Sequence, residues 1–169
     1  MAEFQLGSIS TGTLRTEDLI PAFTYTMGEL THDPTSNTSK YPTEAMANLW
    51  DEAIKAINNP DTDTNPLSDD ECIARNEILS DLQDALNELC PPFVYFGTLE
   101  GDGADFGFWP DMDRLNEELH FASNVCGDKL IRDCACEDEN CDDGILVNVS
   151  DHGNVTVMDM ERNVIWSVT

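Results

Sequence analysis

Apolar positions in the first half of the chain recur at helical spacing. Leu19 and Ile20, then Phe23, Met27 and Leu30, predict a helix opened by Thr16-Glu-Asp-Leu19. Pro21 falls near its first turn, where a missing N–H costs least. Residues 31–42 are rich in Thr, Ser, Asn and Pro and read as a loop. A second helix is expected over residues 43–57, with Met46, Leu49, Trp50, Ala53, Ile54 and Ile57 on one face. Asn58-Asn-Pro60 ends it, and residues 61–66 form a polar connector. Ser68 and Glu71 then make a capping box, in which each can satisfy a backbone N–H of the other's turn. Asp69 and Asp70 suit the positive end of the helix dipole. Cys72, Leu79, Leu82, Leu86 and Leu89 form the expected buried stripe of this third helix, and Pro91-Pro92 stops it.

Beyond residue 92 the pattern changes to strands. Phe93-Val-Tyr-Phe96 is aromatic and β-branched, residues 101–105 are a turn cluster, and Phe106-Gly-Phe-Trp109 reads as the return strand of a hairpin. A short helix is expected over residues 111–121, followed by an acidic, Cys-rich loop. Residues 145–149, 155–160 and 164–168 form a predicted three-stranded meander, with turns at 151–154 and 161–163. The expected fold is therefore α+β, with N-terminal helices packed on a C-terminal antiparallel sheet made of the hairpin and the meander. Residues 1–169 are expected to form a single domain, mainly helical over 1–92 and mainly β over 93–169.

Charge changes this picture more than any motif. The 169 residues carry 34 Asp+Glu against 8 Lys+Arg, a formal net charge of −26, so most carboxylates lack a basic partner within the chain. Such a surface repels DNA, RNA and anionic membranes, which are bound through Lys and Arg, and attracts cations and basic partners. Disorder is one alternative account of the acidity, but the apolar periodicity and a hydrophobic content of 40% argue against it. Adaptation to high salt and a merely acidic housekeeping protein are the others.

The acidic residues are also patterned. Glu77, Asp81, Asp84 and Glu88 follow at spacings of four, three and four, which places them along one face of the third helix. Neighbours on such a face stand about 5–6 Å apart, comparable with the roughly 6–7 Å between successive phosphates of a nucleic-acid strand. Arg75 is the one basic residue nearby. Together with Asp111, Asp113, Glu117 and Glu118 on the next helix, and Glu137, Asp138, Glu139, Asp142 and Asp143 in the acidic loop, they suggest an extended anionic partner-binding surface. A solvated helix face is the plainer reading of the same residues.

Other chemistry is less well supported. Cys126, Cys134, Cys136 and Cys141, flanked by His120, offer enough thiols for a structural zinc, and zinc is the only cofactor the residues suggest. Their spacing has no Cys-x-x-Cys pair, so free thiols are the alternative. Residues 61–65 begin like a calcium loop, but Pro66 and Cys72 stand where Gly and Glu are needed. Residues 138–142 fail likewise, with Val149 at the last ligand position. His32, His120 and His152 are isolated, and no nucleophile elbow, phosphate loop or zinc-protease motif occurs, so no catalytic residue is assigned and a non-enzymatic protein is expected. A small hydrolase or nucleotide-binding protein using His152 or residues 101–105 is the remaining alternative. The start lacks a basic leader and no apolar run reaches 18 residues, so a cytoplasmic protein with thiols rather than disulfides is expected. On that expectation the sequons at Asn37, Asn148 and Asn154 carry no consequence.

Five segments add context: Gly12-Thr-Leu-Arg15 with Asp18-Leu-Ile-Pro-Ala-Phe23, Pro91-Pro-Phe-Val-Tyr-Phe-Gly97, Gly101-Asp-Gly-Ala-Asp-Phe-Gly-Phe-Trp109 and Asn148-Val-Ser-Asp-His-Gly-Asn-Val155. They resemble segments of small, uncharacterised proteins of bacteriophages and some bacteria. The resemblance implies a phage or mobile-element product in a host cytoplasm and transfers no functional residue. Small acidic proteins of that setting often oppose restriction or CRISPR nucleases. The expected function is therefore an inhibitor of the anti-CRISPR or anti-restriction class that binds a basic host nuclease, or another nucleic-acid-binding defence protein, as a nucleic-acid mimic. A small metal-stabilised interaction module is the second expectation.

Overall fold

The computed structural model describes residues 3–33, 38–39, 41–60, 66–125, 127–132 and 144–169. Among the described residues, four helices and two larger antiparallel sheets make it an α+β protein, as the apolar pattern predicts. The chain divides into two compact units. One, the helical unit, comprises Ser8–Cys90 and Tyr95–Phe108; the other, the sheet unit, comprises Met1–Gly7, Pro91–Val94 and Trp109–Thr169.

The first strand, β1 (Gly7–Thr11), precedes helix α1 (Thr16–Thr31). Short strands β2 (His32–Asp33) and β3 (Thr38–Ser39) pair antiparallel, so the segment expected as plain loop carries a small ladder. Helix α2 spans Glu44–Asn58 and is capped by Thr43, whose side chain accepts from the Met46 N–H at 3.2 Å. Helix α3 spans Asp69–Glu88. Strands β4 (Val94–Leu99) and β5 (Asp102–Pro110) form the expected hairpin, with Gly101 at a positive φ of 88° in its turn. β1 completes a three-stranded sheet in the order β1-β5-β4.

The core of the helical unit follows from the predicted stripes. Leu19, Ile20, Phe23 and Met27 of α1, Met46, Leu49 and Ala53 of α2, and Leu82, Ala85 and Leu86 of α3 are buried. Phe23 meets Phe96 edge-on at 4.8 Å between ring centroids, and Phe96 packs on Phe108 at 5.1 Å. Thr24 is buried among them, and its hydroxyl is satisfied by donating to the Ile20 carbonyl at 2.6 Å. Asn87 at the end of α3 reaches the edge strand β4. Its amide N–H donates to the Phe96 carbonyl at 2.8 Å, and its amide oxygen accepts from the Phe96 N–H at 2.9 Å. The side chain thereby occupies backbone groups that an edge strand otherwise leaves open.

In the sheet unit, helix α4 (Met112–Phe121) precedes β6 (Ser123–Val125) and β7 (Asp128–Arg132), which pair across the turn at Gly127. Strands β8 (Gly144–Val149), β9 (Val155–Met158) and β10 (Val164–Val168) follow, and the sheet runs β10-β9-β8-β7-β6. The predicted meander is thus three strands of a five-stranded sheet. The register pairs Val147 with Val157 and Val157 with Trp166, so these residues share a face. They cluster with Ile131, Val155, Phe93 and Leu115 of α4. Trp166 is fully buried, and its indole N–H donates to the Pro92 carbonyl at 2.8 Å.

On the opposite face of β7, buried Asp128 accepts from the Asn148 amide at 2.8 Å and pairs with Arg162 at 2.7 Å. The Asn148 hydrogen bond, followed by the Arg162 guanidinium, holds its carboxyl below the usual carboxylate range. Arg162 has a positive φ of 66° in the β9–β10 turn, a conformation that costs a non-glycine residue roughly 1–2 kcal/mol. The ion pair with Asp128 helps to offset that cost.

Candidate acidic docking face on the third helix

Helix α3 is fixed at its start by the predicted capping box. The Glu71 carboxylate accepts from the Ser68 N–H at 2.8 Å, and the Ser68 hydroxyl oxygen accepts from the Glu71 N–H at 3.3 Å. These bonds to Ser68 lower the Glu71 pKa, the backbone N–H contributing most.

The buried face of α3 differs from the predicted stripe in one informative way. Cys72 is exposed, and Arg75 is buried, only 8% exposed. The cause lies on α2, whose last carbonyls need donors. The Arg75 guanidinium donates to the Ala56 carbonyl at 2.6 Å and also to the Asn59 carbonyl. A cation at a helix C-terminus is favoured by the dipole as well. Arg75 therefore caps α2 instead of neutralising its own helix.

That leaves the ridge Glu77, Asp81, Asp84 and Glu88 exposed along α3. Among the described residues the ion pairs are Arg15–Glu17 and Arg162–Asp128, neither of which involves the ridge. The ridge borders two grooves between α2 and α3. Glu77 and Asp81 line one of about 450 Å³, together with Glu52, Lys55 and the apolar Ala74 and Ile78. Asp81, Asp84 and Glu88 line another of about 340 Å³, with Met46 and Leu49 at its wall. Glu52 thus joins the ridge from α2. The helical period places it on a polar face but does not say which helix that face meets.

The other predicted site residues fall elsewhere. Asp113, Glu117 and Glu118 are exposed on α4 in the sheet unit. Asp111 is half-buried and caps α4, its carboxylate accepting from the Arg114 N–H at 3.0 Å. It has a structural duty that the sequence pattern did not reveal. Glu137, Asp138, Glu139, Asp142, Asp143 and the thiols of Cys126, Cys134, Cys136 and Cys141 lie outside the described residues, as does the calcium-like segment 61–65. Among the described residues no cluster of three His, Cys, Asp or Glu side chains is placed to hold a metal ion. None of the described helices is long and apolar enough to cross a membrane. His32, His120 and His152 are all exposed.

Chemically, the α3 face is an ordered row of carboxylates with apolar surface in the grooves beside it. It suits charge-assisted hydrogen bonds from Arg and Lys side chains. Comparison with protein-family models, curated proteins and solved structures finds no match to this chain.

Proposed function

We propose that the protein is an inhibitor that lays its acidic α3 face into a basic nucleic-acid-binding groove of a host defence protein. One observation carries the reading. The sole basic residue of α3 is turned inward to cap α2, while Glu77, Asp81, Asp84 and Glu88 remain exposed and free of ion pairs among the described residues. Like charges at these spacings cost a helix a few tenths of a kcal/mol per pair. Retaining them unneutralised has a physical rationale if a partner supplies the countercharge. The net charge of −26 adds long-range steering toward a basic groove and repels nucleic acid itself. The resemblance to phage-borne proteins points to a restriction or CRISPR nuclease as the partner class.

The test is capture of partners from a host lysate on the immobilised protein, followed by competition with DNA or guide RNA. Association should slow by about tenfold or more as screening increases from low to high salt, and nucleic acid should displace the inhibitor. A verified complex that ignores salt and forms equally well on the nucleic-acid-bound partner would refute the proposal.

A further inference from the structure

A pocket elsewhere in the helical unit has different chemistry from the acidic ridge. It has a volume of about 570 Å³ and is lined by Tyr25, Gly28, Glu29, His32 and Trp50. Tyr25, Gly28 and Glu29 come from the end of α1 and share one helical face, and His32 follows as the extended residue that caps the helix and opens β2. Tyr25 is 57% exposed, and Glu29 and His32 are exposed. Trp50 arrives from α2 and lies directly against Gly28. A β-carbon at position 28 would stand 2.7 Å from its ring, so the missing side chain is what admits the indole. Tyr41 lies against the indole at 5.8 Å between centroids.

Three features of this pocket select for positive charge. The faces of the Tyr25 and Trp50 rings carry the negative part of the aromatic quadrupole. Glu29 contributes a full negative charge. The carbonyl end of α1 adds the partial negative charge of the helix dipole, reduced where Thr31 donates to the Met27 and Gly28 carbonyls and the His32 N–H to that of Glu29. An anionic ligand would be repelled by all three. Among cations, a guanidinium fits best, because it is planar and can stack on an indole while its N–H fork donates to a carboxylate. An ammonium is a compact, strongly hydrated point charge that stacks poorly.

We infer that this pocket binds a guanidinium group, the side chain of an arginine presented by a polypeptide. The site shares no lining residue with the grooves beside α3 and stands whether or not α3 mimics nucleic acid.

The experiment titrates the full-length protein with N-acetyl-arginine amide and follows the indole N–H resonances by NMR. The Trp50 resonance should shift saturably, while that of Trp166, buried and bonded to the Pro92 carbonyl, should not. N-acetyl-lysine amide, of equal charge, should bind several-fold more weakly. Tyr25→Leu and Glu29→Gln, both at exposed positions, should each weaken arginine binding by about two- to fivefold. Unchanged amide resonances of Leu82 and Phe96, both buried in the helical unit, report that the variants remain folded. Equal responses to arginine and lysine, a shift that never saturates, or arginine affinity unchanged in both variants would each overturn the inference.

Discussion

Replacing Arg75 by Met isolates the contribution of the buried guanidinium. Met retains an unbranched apolar side chain against the helix interface and removes the donors that cap α2. Hydrogen bonds to a charged group contribute about 1.5–3 kcal/mol each, and two carbonyls are involved, those of Ala56 and Asn59. Ala56 is half-buried and Asn59 exposed, so water replaces part of what is lost. The expected net destabilisation is therefore about 2 kcal/mol, rather than the full sum. For a chain of this length that corresponds to a fall in Tm of roughly 4–8 °C. Urea unfolding followed by far-UV circular dichroism measures it, with Arg75→Lys as the control that keeps charge but loses the planar fork. The lysine variant should recover only part of the loss. A change below about 0.5 kcal/mol for Arg75→Met would show that the guanidinium does not cap α2, and would remove the reason for excluding it from the acidic face.

Further perturbations test other parts of the account. Asn87→Ala should cost about 1–2 kcal/mol and speed hydrogen exchange at the Phe96 amide, since it removes both bonds to β4; unchanged exchange would contradict this role. Asp128→Asn should be less stable than the parent near pH 6. The folded carboxyl titrates lower than the unfolded one, so its stabilisation is present above the ordinary carboxylate pKa, near about 3.9, and is lost as pH falls through the lower folded value. A stability difference independent of pH would contradict the Asn148 and Arg162 contacts. Burial pushes the Cys90 thiol up to about 12, whereas Cys72 is exposed, so brief alkylation at pH 8 should label Cys72 and spare Cys90. Equal labelling by mass spectrometry would refute that burial.

The helices were legible because their signals are local. A capping box, helical apolar spacing and terminating prolines all lie within a few residues of the turns they specify. The additional strands were not. β1 is a short polar segment beginning at Gly7, and it becomes a strand only by pairing with β5, far along the chain. β7 offers Leu130 and Ile131 between charged residues, and its strand state depends on pairing with β8. The acidic row on α3 could be read from its period, but the inward turn of Arg75 could not. That turn is set by carbonyls 16 and 19 residues away on another helix. The aromatic pocket was hidden for a similar reason, since it needs Tyr25 and Trp50 from different helices and the absent side chain of Gly28.

On the proposed function, α3 carries exposed charge for a partner rather than for its own fold. The most direct measurement compares the parent with the variant Glu77→Gln, Asp81→Asn, Asp84→Asn, Glu88→Gln, recording both unfolding free energy and affinity for the captured partner. Relief of three like-charge pairs should raise stability by about 1 kcal/mol at low salt, and the gain should shrink as salt is added. Affinity should fall by at least about tenfold through loss of the countercharges. A folded variant that binds the partner as tightly as the parent, or one that loses stability along with affinity, would contradict the account.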